Sequence, residues 1–340
     1  MKKLVKFFIP DEALNDATVY YCNLIEEAFV QNSFKVIWVK DKTTLEDGDI
    51  VFIIRPLELG SSFKKKIKIV SWFQGVGPEE YILLHNNSFK AKLGFVYLSF
   101  FECKMLKKAK ICIFVSEAMR SFYENKYKIN LKEKSVIIPC YNKKLDLSIN
   151  SDRYCNLSFV YAGGLFAWQC IEKTLSVYKE VHKIDNNATL TLLTGQTEAA
   201  EDLVRKFDLK NVDVKYVKLD KLQEELSKYK YGFLLREDIV VNNVATPTKM
   251  NSYLASGLIP LYSPVVDSFN KHLRLGSFDL QLDVNKSSLV LAQKIIDFQK
   301  KEINSSLLLA TYKDIFNNYY NDSKYIKMFS DKSKYMFNNK

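Results

Sequence analysis

Glycine and proline are scarce in this chain, with 11 and 7 in 340 residues. That excludes long flexible linkers and low-complexity disorder. The six cysteines (Cys22, Cys103, Cys112, Cys140, Cys155, Cys170) form no Cys-x-x-Cys pair. Several lie inside apolar runs, as reduced core thiols of a cytoplasmic protein do, rather than a disulfide framework. The three histidines, His85, His182 and His272, have no ligand spacing, so neither a structural zinc site nor any other metal is expected. No apolar run approaches the ~18 residues of a membrane-spanning helix. No Gly-x-Gly-x-x-Gly occurs, so that dinucleotide fingerprint is absent. The net charge is +11, yet no helix-turn-helix, RNP-like or zinc-finger pattern accompanies it, and nucleic acid is not an expected partner.

What is present is core. Hydrophobic residues make up 47% and aromatics 14%, ample for two domains without staples. The first 150 residues hold 24 Lys+Arg against 17 Asp+Glu, the more basic half. A basic excess suits anionic lipid or phosphorylated ligands. The start, Met1 to Pro10, mimics a signal peptide, but Lys6 interrupts it, Pro10 ends it and no small-residue cleavage site follows. It reads as a first buried strand.

Short apolar runs alternate with helical patterns. Strands are expected at 4–9, 34–39, 49–55, 67–73, 111–116 and 136–139, with helices at 17–32, 88–109 and 117–127. Residues 140–156 are polar and irregular, a domain boundary. The alternation resumes with strands at 157–162, 190–194, 212–217, 231–235 and 259–263. Helices are expected between them at 168–183, 198–207, 221–229 and 247–256, then at 287–302 and about 305–328. Such alternation builds parallel sheets with both faces covered. The expected fold is α/β: an N-terminal Rossmann-like domain over 1–145, a C-terminal one over 155–310, and a cleft between them. A helix at about 312–330 packs back on the first domain. From Asn321 on, the tail is polar and is expected to fray at its end.

Residues 231–260 carry the most chemistry. A buried strand, Tyr231-Gly-Phe-Leu-Leu, runs into Arg236, then a polar loop, then Pro247-Thr248-Lys249 opening a helix that Gly257 ends. Pro suits a first helical turn. A helix N-terminus with a hydroxyl and a Lys, facing an Arg at a strand end, makes a phosphate site. Gly163-Gly164 follow another strand, where paired glycines permit close backbone approach to a phosphate or simply a tight turn.

In the first half, Trp72-Phe-Gln74-Gly75-Val-Gly-Pro-Glu79-Glu80 is a strand entering a glycine-rich loop. Glu79 and Glu80 can hold a substrate hydroxyl or act as base, or favour a helix dipole. Ser116-Glu117 either cap a helix or line the rim of a site. Asp47-Gly48-Asp49 has the look of an Asp-x-Asp metal motif, but Asp-Gly before a strand is ordinary turn chemistry. Residues 88–110 mix Phe89, Leu93, Phe95, Tyr97, Phe100 and Phe101 with six lysines. Such a helix can dock on an anionic membrane or pack in the core with snorkelling lysines, and both can hold on different faces.

These pieces, in this order, resemble the retaining GT-B glycosyltransferases of glycosyltransferase family 4, closest to bacterial capsule and O-antigen enzymes. The resemblance rests on Trp72 to Glu80, Phe114-Val-Ser-Glu117, Tyr161-Ala-Gly-Gly164 with Trp168-Gln-Cys-Ile, and Arg236 through Pro247-Thr-Lys249 to Gly257. It implies transfer of a sugar, with retention, from a nucleotide-sugar donor to a glycan or lipid-linked acceptor, without metal or cofactor. Arg236, Lys249, Gln74 and Glu79 are the implied catalytic residues. Gly163, Gly164, Pro247, Thr248 and Ser252 face the donor, and Gly75, Glu80, Ser116 and Glu117 the acceptor. The setting is cytoplasmic, with peripheral contact to the inner membrane face through the basic N-terminal domain. Where the family has a His, this chain has Gln74; where it has two Glu in the donor loop and helix, it has Val244 and Ser252. A non-catalytic binding partner and a nucleotide-sugar epimerase are the alternatives.

Overall fold

The computed structural model describes residues 3–14, 16–148 and 152–338. Within the irregular boundary segment, Asn150 and Ser151 lie outside the described residues, as do Asn339 and Lys340 of the tail. The chain divides into two compact units, Met1–Cys140 with Asn321–Lys340, and Tyr141–Tyr320.

The first unit is built on six parallel strands: β1 (Leu4–Phe8), β2 (Lys35–Val39), β3 (Ile50–Ile53), β4 (Lys68–Phe73), β5 (Ile111–Phe114) and β6 (Ser135–Ile137). Their order is β2-β1-β3-β4-β5-β6. The central strands are runs of Val, Ile and Phe because both sheet faces are covered. α1 (Asp16–Gln31), α2 (Gly77–Leu84), α3 (Phe89–Lys108) and α4 (Glu117–Tyr127) cover them. Phe7 packs against Phe52 with tilted rings whose centroids are 4.5 Å apart, and Trp72 is fully buried. Lys6 pairs with Asp49 at 2.8 Å, and the Asp47 carboxylate accepts from Lys66 N, so Asp47-Gly48-Asp49 is a turn, with Gly48 at φ +93°.

The second unit holds β7 (Ser158–Ala162), β8 (Thr189–Leu193), β9 (Val212–Lys215), β10 (Tyr231–Leu234), β11 (Ile259–Tyr262) and the short β12 (Leu280–Gln281). All pair in parallel in the order β12-β11-β10-β7-β8-β9. Strand order therefore reverses between β7 and β10, the place where open α/β sheets bind ligands. Phe159 of β7 stacks on Tyr231 and Phe233 of β10 at 5.2 and 5.4 Å, which locks these two strands together. Its helices are α5 (Ile171–Ile184), α6 (Thr197–Lys206), α7 (Leu219–Leu226), α8 (Val240–Asn243), α9 (Thr248–Ala255), α10 (Asp267–His272), α11 (Ser288–Gln299) and α12 (Ser305–Asn318).

Two sequence expectations need correction. The stretch 305–328 is not one helix: it breaks after Asn318, and α13 (Asp322–Asn338) follows. The polar tail is that helix. Asn321 Oδ1 accepts from Lys324 N as its cap, and Phe329 packs on Phe29 of α1 at 5.1 Å in the first unit. The helix expected from 168 begins at Ile171, after a 3-10 turn (Ala167–Gln169) and a left-handed Cys170.

Candidate functional site

In the second unit, the carboxyl ends of β7 and β10 and the start of α9 converge. Their placement depends on Gly232. A Cβ there would meet the Tyr253 ring at 2.6–2.8 Å, so only glycine lets α9 lie this close to β10. The buried Tyr253 hydroxyl accepts from Ala162 N and donates to Phe233 O, both at 3.1 Å. One side chain thus ties α9 to both strands at the switch point.

Arg236, two residues past β10, is 6% exposed. Its N–H donates to Ser263 Oγ at 2.8 Å, and its Nη1 donates to Asn242 Oδ1 at 3.2 Å and to the Trp168 carbonyl at 3.3 Å. Asn242 Nδ2 donates to Glu237 O at 3.0 Å and to the same Trp168 carbonyl, fixing the amide that holds the guanidinium. Lys249, in the first turn of α9, donates to Gln169 Oε1, and its Nζ sits 3.9 Å from the centroid of the Tyr161 ring. Burial, with the Arg236 charge second, drives its pKa well below the ordinary lysine value. Burial also lowers that of Arg236. Among the described residues no carboxylate forms an ion pair with either group; their hydrogen-bond partners are neutral, namely Ser263, Asn242, the Trp168 carbonyl and Gln169. Two basic groups held together without an ion-pair partner leave an anion as the missing component, one that would also restore the Lys249 proton.

Pro247 is the cap residue of α9 rather than its first turn, and its carbonyl accepts from Met250 N at 3.1 Å. Thr248 opens the helix. Gly163 has φ +135°, a region that L side chains rarely adopt, and a Cβ on it would stand 2.7 Å from Lys249 Cε. Gly164 lies under the Phe166 ring, which stacks on Trp168 at 5.0 Å. Ser252 is buried, and its hydroxyl donates to Thr248 O at 3.3 Å within its own helix. Val244 is buried at the end of α8. Asn242, Gln169 and Tyr253 belong to the site and did not stand out in the sequence. The Asn242-Asn243 pair between an Arg and a helix-starting Pro was the available signal.

The first unit has its own cavity, about 650 Å³, at the carboxyl ends of β3 and β4. Gln74, Gly75 and Glu80 line it, with Trp72, Leu98 and Phe101. Glu80 Oε1 accepts from Val76 N at 3.1 Å and packs against Gly75, where any Cβ would collide with it. Burial raises the Glu80 pKa, the backbone bond opposes this and Glu79 adds to it. Glu79 itself is ion-paired to Lys126 at 2.8 Å, and Lys126 also meets Glu102 at 3.1 Å. Gln74 Nε2, Trp72 Nε1 and Glu58 Oε2 are buried without hydrogen-bond partners around this cavity. Buried polar atoms left unpaired mark a place where a polar ligand or water belongs. Ser116 Oγ caps α4 by accepting from Met119 N at 2.9 Å, and Glu117 is exposed in that helix's first turn. Among the described residues no group of three metal-ligating side chains gathers.

No family model and no curated protein matches the chain. Solved structures do. Anabaena HepE, determined with UDP and glucose, matches at TM-score 0.67 and 9% identity over 97% of this chain and 99% of that one. The pneumococcal O-GlcNAc transferase GtfA, determined with UDP and GlcNAc, matches at TM-score 0.63 and 11% identity. That match covers 92% of this chain, which spans only 60% of GtfA. The N-terminal domain of Candida albicans trehalose-6-phosphate phosphatase matches at TM-score 0.65 and 9% identity, over 99% and 97% of the two chains. At such identities the likeness speaks to architecture and not to reaction: this chain has two Rossmann-like α/β domains of the GT-B type.

Proposed function

We propose that the chain is a glycosyltransferase that takes its sugar from a nucleotide diphosphate donor. The observation that carries this is the Arg236–Lys249 pair, a buried guanidinium and a half-buried lysine amine without a carboxylate partner, at the switch point of the second sheet. The diphosphate of the donor supplies the missing negative charge. HepE and GtfA, each determined with UDP and a sugar, support that choice of anion.

In the reaction, the bond between the anomeric carbon and the β-phosphate oxygen breaks, the acceptor hydroxyl oxygen bonds to that carbon and gives its proton to the departing diphosphate, on which charge builds. Arg236, Lys249 and the positive end of α9 stabilise that charge. Gly163, lacking a side chain, keeps the approach to Lys249 open. The acceptor hydroxyl belongs to a glycan, free or lipid-linked, of the kind found on bacterial surfaces, and the cavity of Gln74 and Glu80 is its proposed seat. Family resemblance supports transfer with retention and without metal. Buried thiols such as Cys22, Cys112 and Cys170 fit the reducing cytoplasm. Among the described residues no helix is long and apolar enough to cross a membrane.

The test is a thermal-shift panel of nucleotide diphosphates, followed by turnover of the matching nucleotide sugars with glycan acceptors. A diphosphate-specific rise in melting temperature and release of that diphosphate are expected. A second reading, a binding partner that does not turn donor over, is favoured by one observation: Val244 and Ser252 stand where the resembling family has glutamates. Tight donor binding with no release under any acceptor would select it.

A further inference from the structure

α3 is apolar on two sides. Ala91, Met105 and Leu106 are buried against the first unit. On the opposite side Phe89, Leu93, Val96, Tyr97 and Phe100 all project outward, Phe89 at 77% and Tyr97 at 65% exposure. At 100° per residue these five positions fall in a sector of about 100° and run about 16 Å along the helix. A helix that is hydrophobic all round is buried by something, and an exposed stripe of this size marks an interaction surface. Leu83 and Leu84 of α2, the helix packed beside it, are also exposed.

The charges around the stripe identify the partner. Lys90, Lys92, Lys104 and Lys107 are all exposed, and the last two continue the same sector towards the C-terminus. Lys104 Nζ sits 4.2 Å above the Phe100 ring. The one acidic residue of α3, Glu102, points away, where Lys126, Tyr123 and Tyr127 hold it. The face therefore combines an apolar centre with a cationic rim whose lysines form no ion pair among the described residues. A second copy of the chain would bring a second set of these lysines against the first, a like-charge contact.

We propose that the outer face of α3 docks on an anionic lipid bilayer, its aromatic and aliphatic side chains entering the headgroup–acyl boundary and its lysines meeting lipid phosphates. Apolar insertion and cationic attraction together are the two signals that hold an interfacial helix. The surface does not depend on the donor site.

Sedimentation of the full chain with vesicles tests it, using phosphatidylcholine alone and phosphatidylcholine mixed with phosphatidylglycerol. The wild type binds the anionic vesicles, and binding weakens as salt rises. Phe89→Ser/Leu93→Ser/Phe100→Ser lowers partitioning by about tenfold or more. Lys90→Ser/Lys92→Ser/Lys104→Ser/Lys107→Ser removes most of the salt dependence. Both variants keep the wild-type melting temperature, because the altered side chains are exposed. Wild-type binding to neither vesicle, or equal binding by the Phe/Leu variant, overturns the proposal. So does a wild-type dimer in light scattering that the Phe/Leu variant abolishes, since the stripe then serves a second copy. Nucleotide binding is measured in parallel without vesicles, so failure of the donor assignment is read separately from failure of docking.

Discussion

Gly163→Ala is the most specific perturbation the donor site offers. The new Cβ would lie 2.7 Å from Lys249 Cε and 3.0 Å from its Nζ. Restoring ordinary contact at 3.4 Å moves the end of the lysine by 3.4 − 2.7 = 0.7 Å or more. That movement costs little sterically, because the end of a lysine is flexible. It takes the ammonium away from Gln169 and the Tyr161 ring, and so out of place for a phosphate. Losing one charge-assisted hydrogen bond costs about 1.5–3 kcal/mol, or roughly 10- to 100-fold in Kd. Separately, φ +135° at an alanine costs the fold on the order of 1–3 kcal/mol. Calorimetric titration with the diphosphate identified by thermal shift measures the first effect, and urea unfolding the second. Lys249→Met should show a similar affinity loss, and the double variant should lose no more than either alone. Gly195→Ala, whose Cβ would come no closer than 4.0 Å to Tyr216, is the neutral control. Additive losses, or unchanged affinity in Gly163→Ala, would refute the idea that Gly163 acts by making room for the Lys249 ammonium.

Three further outcomes are expected. Arg236→Ala or Lys249→Ala should lower turnover by roughly 10²-fold or more, measured as diphosphate release, and unchanged rates in both would remove them from the mechanism. Diphosphate binding should take up a proton: free Lys249 has a depressed pKa, and an adjacent anion raises it. Affinity then falls as pH rises above the free-state pKa, and calorimetry in buffers of different ionisation enthalpy reads the uptake; its absence throughout the alkaline range contradicts this. Finally, burial lowers the Lys230 pKa from 10.5 to about 8. Between those values the unfolded chain holds the proton and the folded one does not, so stability rises with pH, by less than about 1.4 kcal/mol per unit after screening. Lys230→Met should lack that contribution in urea unfolding between pH 8 and 10, and parallel wild-type and variant curves would contradict it.

The strands were legible because they are runs of β-branched and aromatic residues bounded by polar turns, and a buried parallel sheet allows little else. Short elements were not: β12, α8 and α10 have two to six residues each, too few for any period to register. The break at 319–321 escaped because apolar spacing continues through it, and Asn321 looked like ordinary tail polarity when it is a cap. At the site, Arg236, Lys249 and Gly163 were visible as residue types at strand and helix ends. Of their supports, Asn242 lies six residues from Arg236 and left a local signal, whereas Gln169 and Tyr253 act across 80 and 91 residues and left none. The outward stripe on α3 was half visible. Its composition announced a surface helix or a core helix, and only the burial pattern assigns the aromatic side to the outside.

The central claim is that Arg236, Lys249 and the start of α9 grip a diphosphate. Titrating the wild type and Arg236→Ala/Lys249→Ala with UDP and GDP, against the matching monophosphates, measures that grip directly. The account predicts that one diphosphate binds the wild type about tenfold or more tighter than its monophosphate, and that this preference vanishes in the double variant. Equal affinity for mono- and diphosphate, or a preference that survives loss of both cations, would contradict it.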